Sequence, residues 1–200
     1  MKRWGMVIDL KRCIGCNSCT LACKIQNGTP PGIFYRRVLE KTSGKYPAFR
    51  RTYLPVQCMH CEDPPCVAAC PSGVFSKRDD GIVVVDTNKC YGAKACRMAC
   101  PYNAITFLEE IRNYFPDGRT DTEKVWYENH IAGTANKCNF CADRVDEGLQ
   151  PACVQACPAA VMTFGDLNDP HSEVSMLIKA RDGLQLHAEL GTNPAVYYVK

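Results

Sequence analysis

The chain has 200 residues, 46% of them apolar, enough for one or two compact domains with cores of their own. A formal net charge of +3, with no block of like charges, gives no argument for a nucleic-acid partner. No apolar run approaches ~18 residues, so no membrane span is expected, and the basic start "MKRWGMVIDLKRC" lacks an apolar stretch of signal-peptide length. Arg36-Arg37 and Arg50-Arg51 are internal and precede no such stretch, so they do not read as export signals. The unusual quantity is 15 cysteines, an odd total in a chain this long, which disfavours a disulfide framework and points to metal ligands.

In chain order, an apolar strand ends at Asp9 and leads into Cys13, Cys16, Cys19 and Cys23, spaced C-x2-C-x2-C-x3-C. Residues 24 to 57 combine Pro/Gly turns with aromatic and arginine residues and read as a hairpin. Phe34, Tyr35, Arg36 and Arg37 within it are candidate partner contacts, because Tyr and Arg are favoured at interfaces. The second group is Cys58, Cys61, Cys66 and Cys70. After it, Asp80-Gly81 ahead of a β-branched run predicts a hairpin turn. The third group is Cys90, Cys96 and Cys100. Residues 106 to 137 form an insertion with a turn at Pro116-Asp117-Gly118. The fourth group is Cys138, Cys141, Cys153 and Cys157. The tail holds one helix, expected to start near Asp169-Pro170 and stop by Gly183.

Every group ends in C-x3-C, and three are followed by proline: Pro71, Pro101 and Pro158. Each Cys-Pro pair closes a helix and is followed by a turn and a short apolar strand, as in "CPSGVF", "CPYNAITF" and "CPAAVMTF". The first group has the spacing of the bacterial ferredoxin run, with Lys24 in place of the proline. In that run three thiolates hold one cluster, and the fourth, about one helical turn on, reaches the next. Groups must therefore pair. An internal repeat also appears: "VIDLKRCIGCNSCTLAC" aligns without gaps on "VVDTNKCYGAKACRMAC". Cys13, Cys19 and Cys23 fall on Cys90, Cys96 and Cys100, and Cys16 falls on Ala93, so Ala93 occupies a ligand position. Gly15 and Gly92 are candidate backbone donors to cluster sulfur, and Lys11, Arg12 and Lys89 are candidate charges beside it. His60, between Cys58 and Cys61, is read as a tuning or packing residue ahead of an iron ligand. Zinc is the competing chemistry, but zinc sites take their cysteines two and two, whereas the first group places three on one loop.

With these motifs, and with "CMHCEDPPCVAACPSGVF", "KCNFCADRVDEGLQPACVQACP" and "LGTNPAVYYV", the whole chain resembles the four-cluster ferredoxin-like beta subunit of the dimethyl-sulfoxide-reductase family of molybdenum and tungsten enzymes. The resemblance implies an α+β fold of two ferredoxin-like units of the bacterial two-cluster type, with insertions and a tail. Unit A would be residues 1–50 and 122–165, unit B residues 51–121, and the tail residues 166–200. It also implies the ligand sets. Cluster 1 takes Cys13, Cys16, Cys19 and Cys157, and cluster 2 takes Cys23, Cys138, Cys141 and Cys153. Cluster 3 takes Cys58, Cys61, Cys66 and Cys100, and cluster 4 takes Cys70, Cys90 and Cys96. Three 4Fe-4S clusters and one 3Fe-4S cluster are expected, the alternative being four 4Fe-4S clusters with a non-cysteine ligand at the fourth.

The implied function is electron relay, with no catalytic residues. It runs between a molybdenum or tungsten bis-pterin subunit, nearest the first cluster, and a membrane anchor or other redox partner at the fourth. Such a complex is peripheral to the membrane, cytoplasmic or reaching the periplasmic face by co-export with a partner. A hydrogenase or formate–hydrogen complex is the alternative setting, and a zinc-binding interaction module the remote one.

Overall fold

The computed structural model describes residues 1–200. In chain order the elements are β1 (Trp4–Asp9), α1 (Ser18–Gln26), β2 (Arg36–Ser43), β3 (Arg50–Gln57), α2 (Pro65–Ala68), β4 (Phe75–Lys77), β5 (Val83–Val85) and α3 (Ala95–Ala99). They continue with β6 (Thr106–Leu108), α4 (Asp121–Tyr127), β7 (Thr134–Asn136), α5 (Ala142–Asp146), α6 (Ala152–Gln155), β8 (Met162–Asp166), α7 (Glu173–Ala180) and β9 (Val196–Val199). Short strands and helices alternate in a mixed α/β chain, and no helix is long and apolar enough to cross a membrane.

β1 is the central strand of the only three-stranded sheet, between β8 and β9. It pairs antiparallel with β8, Trp4 opposite Asp166 and Ile8 opposite Met162, and parallel with β9, Met6 opposite Val196. Both faces are covered, as the period-two alternation of a central strand allows. Met6 and Ile8 enter the larger core with Phe140 and Phe164, while Val7 packs on the other side against Val174 and Val199. The segment expected as the tail, residues 166–200, supplies an edge strand and, through α7, a cover for the sheet. α7 begins at Glu173 because Ser172 Oγ accepts the Ser175 N–H at 3.2 Å. Asp169, expected as the cap, instead accepts the His171 N–H in a turn just upstream.

The remaining strands form three hairpins. β2 pairs with β3 along residues 36–57, so the expected boundary at residue 50 falls at the start of a hairpin strand. β4 pairs with β5 across Asp80-Gly81, with Gly81 at φ 84°, a conformation glycine takes without strain. β6 pairs with β7, bracketing the insertion that holds α4. There Thr120 and Glu123 form a reciprocal capping box, and Glu123 also accepts the Tyr114 N–H, which ties the loop before the helix to its first turn. A second core of Val74, Phe75, Val83, Ile105, Phe107 and Ala135 lies under the β4–β5 and β6–β7 hairpins. Both cores include cysteines: Cys19, Cys61 and Cys153 in the larger, Cys66 and Cys96 in the smaller.

Candidate metal centres

The internal repeat is reproduced bond for bond. Asp9 accepts the Lys11 N–H at 3.0 Å, and Asp86 accepts the Asn88 N–H at 3.1 Å. Gly15 and Gly92 have φ 72° and 81°, and Asn17 and Lys94, which precede the two helices, have φ 60° and 59°. The carbonyls of Asn17 and Lys94 then accept the N–H groups of Thr20 and Arg97 at 2.9 and 3.0 Å. The backbone carrying Ala93 therefore has the conformation of the backbone carrying Cys16, and both residues are exposed. The three Cys-Pro turns also match. Gly73, Asn103 and Ala160 have φ 59°, 48° and 44°, and each donates its N–H to the carbonyl of the cysteine three residues back, at 3.1–3.2 Å.

Folding gathers the cysteines into sets. Cys13, Cys16, Cys19 and Cys157 line one cavity, Cys23, Cys138, Cys141 and Cys153 a second, and Cys58, Cys61, Cys66 and Cys100 a third. Cys96 lies within electrostatic reach of Cys70 and Cys90, which makes a fourth, three-cysteine site. The thiols surround a volume and do not converge on a point, and no three Cys, His, Asp or Glu side chains stand close enough to hold a single ion. That arrangement fits a polynuclear cluster better than mononuclear zinc.

Helices link neighbouring sites. α1 carries Cys19 to the first site and Cys23 to the second, and α2 carries Cys66 to the third while Cys70, just beyond it, reaches the fourth. Cys138 of the second site lies within electrostatic reach of Cys58 of the third. The sites thus follow one another in a row.

The thiols fit a cationic occupant. Burial, and then the nearby Cys153 and Cys141, push Cys23 up to about 12. Burial, with Cys58 next, does the same for Cys66. Burial also pushes Cys61, Cys96 and Cys141 up to about 11. Crowded, dry thiols resist ionisation until a positive centre holds them, which is the chemistry of iron thiolate ligation. Backbone N–H groups already aim at several sulfurs: Ala135 at Cys90, Phe140 at Cys138 and Val161 at Cys157, each at 3.4 Å. Burial pushes the Cys13 thiol up, and the Gly15 N–H partly offsets this.

Of the two readings open for the basic residues beside the ligands, cluster charge or ordinary solvated face, their exposure matches the second. Lys11, Arg12 and Lys89 are exposed, and Lys89 pairs with Asp86 at 3.0 Å. The buried cations are Arg36, 2% exposed at the second site, and Lys137, 3% exposed at the third. Of the four residues expected to contact a partner, Phe34 and Arg37 reach the surface and the other two turn inward. Tyr35 is buried with its hydroxyl donating to Asn136 Oδ1 at 2.8 Å, and Arg36 points into the core. Their place at the start of β2 and in the turn before it decides this; residue type alone carried no such signal. Lys137 was detectable only as the basic residue immediately before Cys138, in the manner of Arg12 and Lys89.

His60 is 1% exposed and stacks on Phe140 with ring centroids 3.7 Å apart. The two occupy equivalent places in their C-x2-C loops, both with positive φ, 45° and 55°. His60 Nδ1 accepts the Val83 N–H at 3.1 Å, and burial and Lys137 hold the ring neutral. This is the packing role of the two read from sequence.

The 4Fe-4S dicluster domain family matches residues 49–114 and 123–167, and a second 4Fe-4S dicluster family matches residues 12–74. The chain is 40% identical to the arsenate respiratory reductase iron-sulfur subunit of Shewanella sp., over 99% of this chain and 96% of that protein. It is 43% identical to the B subunit of the selenate reductase of Mesobacillus selenatarsenatis, over 98% of this chain and 72% of that protein. It is 37% identical to the B polypeptide of the anaerobic dimethyl sulfoxide reductase of Escherichia coli, over 84% of this chain and 75% of that protein. By these matches over nearly its whole length, this protein belongs to the family of iron–sulfur subunits of the dimethyl-sulfoxide-reductase class of molybdoenzymes.

Proposed function

We propose that the chain relays electrons along a row of four clusters between a molybdenum or tungsten bis-pterin subunit and a second redox partner. The observation that carries this reading is the succession of cysteine sites linked by shared helices and by the electrostatic reach between Cys58 and Cys138. The ligand sets are those the cavities gather, with Cys70, Cys90 and Cys96 at the fourth site. Bound clusters supply reversible one-electron transfer. The chain's own residues hold them in line, keep water from the inner sites and direct N–H dipoles at the sulfurs. Two ferredoxin-like units, one built from the first and fourth cysteine groups and one from the second and third, are the organisation this implies. The β1–β8 pairing supports the first of these.

The fourth site holds a 3Fe-4S cluster in this reading, because Ala93 brings no donor atom to the place of Cys16. The outer sites are the ports. Ile14 and Leu21 beside the first are 63% and 60% exposed, and their repeat equivalents Tyr91 and Met98 beside the fourth are 68% and 88% exposed. Exposed apolar side chains over a shallow redox centre suit a partner surface. The catalytic subunit takes the first port, and a membrane anchor or soluble carrier takes the fourth. The complex is peripheral to the membrane, on the cytoplasmic or periplasmic side. The relatives' names are those of respiratory reductase subunits, which does not favour a hydrogenase setting.

The test is EPR of the oxidised and reduced protein with iron and sulfide counted per chain, on material co-purified with its catalytic subunit. An oxidised-state 3Fe-4S signal of about one spin, and about 15 irons, is the expected result. A colourless zinc protein would sink the reading.

A further inference from the structure

Arg36 opens β2 with its guanidinium sealed inside the larger core. One terminal nitrogen donates to Gln57 Oε1 at 3.0 Å and lies 3.8 Å from both Met6 Sδ and Cys153 Sγ. The other faces Met162 Sδ, and Nε has no partner. None of the ion pairs in the chain includes Arg36. A buried cation without a counter-charge is strongly destabilising, so its compensation must come from something the core holds. The groups within electrostatic reach are the sulfurs of Cys153 and Cys138 at the second site and Cys19 at the first. Arg36 lines the second cavity itself, and Met162, which its other terminal nitrogen faces, lines the first. Arg36 therefore stands between two adjacent cysteine sites, closest to the second, with neutral Gln57, Met6 and Met162 on its remaining sides.

We infer that Arg36 is the shared charge partner of the first and second clusters, a positioning residue that raises the reduction potential of both, the second more than the first. The inference rests on the reading of these sites as iron–sulfur clusters. Reduction adds one electron to a cluster, and a fixed positive charge in a dry site stabilises that added charge far more than one in water. Arg36 exchanges no proton in the step, because a guanidinium stays protonated throughout. Met6 and Met162 contribute no charge, so nothing beside the guanidinium screens its field from the clusters.

The test uses the full chain in its complex with Arg36→Gln and Arg36→Lys, followed by EPR-monitored redox titration and iron and sulfide analysis. Arg36→Gln should lower the reduction equilibrium of one cluster at least tenfold, about 59 mV for one electron. A second cluster should move less in the same direction, and the remaining two should stay in place. Arg36→Lys should recover most of the shift, because it keeps the charge and alters the shape. Four unchanged midpoints in a fully loaded Arg36→Gln protein would overturn the inference, as would equal shifts in both variants. If Arg36→Gln fails to retain a cluster, the lysine variant decides. Normal loading and near-normal midpoints assign the role to charge, and the same loss refutes it. Absence of iron and sulfide from the unaltered chain would instead overturn the cluster reading itself.

Discussion

Restoring a thiol at position 93 tests the fourth site directly. Ala93 lies in a loop whose glycine and left-handed residue match those around Cys16, so Ala93→Cys presents its sulfur along the direction Cys16 uses. Residue 93 is exposed, so the added atom overpacks nothing, and stability should change by no more than about 0.5 kcal/mol. The ligand count at the site rises from three to four. Iron should rise from about 15 to about 16 per chain, and the oxidised-state signal should fall from about one spin to none as the site becomes a cubane. The repeat supplies the converse experiment. Cys16→Ala should create a second three-iron site, with about 14 irons and about two spins. Both proteins are assayed by oxidised-state EPR with spin integration and colorimetric iron. The reasoning fails if loaded Ala93→Cys keeps its full oxidised signal while the new thiol remains open to alkylation.

Thiol titration gives a second check: few of the 15 cysteines should react with a disulfide reagent in the loaded protein, and all of them after chelation and denaturation. Arg181 hydrogen-bonds Asp9, at 3.1 Å from its second nitrogen, and this holds the Asp9 carboxyl below its ordinary value. A depressed carboxyl pKa stabilises the fold above the unfolded value of about 3.9 and loses that effect as pH falls through the folded one. Asp9→Asn should therefore bleach faster than the parent near pH 5, and the two rates should converge as pH falls below the unfolded value of about 3.9 and through the folded one. Val174 is fully buried between α7 and the sheet, so Val174→Ala should destabilise by about 2 kcal/mol, read as a lowered thermal midpoint. Ser172→Ala removes the α7 cap and should cost about 1 kcal/mol, with faster amide exchange confined to the start of that helix.

Properties set by neighbours along the chain were legible in the sequence. The cysteine spacings, the Cys-Pro turns, the hairpin at Asp80-Gly81 and the match of Ala93 to Cys16 are all local. Backbone geometry over a few residues fixes them, and the repeat states the Ala93 case within one molecule. The pairing of cysteine groups distant in sequence was not readable from spacing and came from family resemblance. In the folded chain the β1–β8 register brings Cys13 and Cys157 to one cavity. The same sheet drew the expected tail into the fold through β9 and α7, which sequence showed only as an apolar end and a helix. The electrostatics lay furthest from view. Lys11, Arg12 and Lys89 adjoin ligands in sequence yet face water, while Arg36, distant from every cysteine in the chain, is buried against Cys153. Local spacing cannot say which charge is desolvated, because burial depends on what packs over a side chain. A guanidinium is tolerated inside only where folding assembles groups that balance its charge.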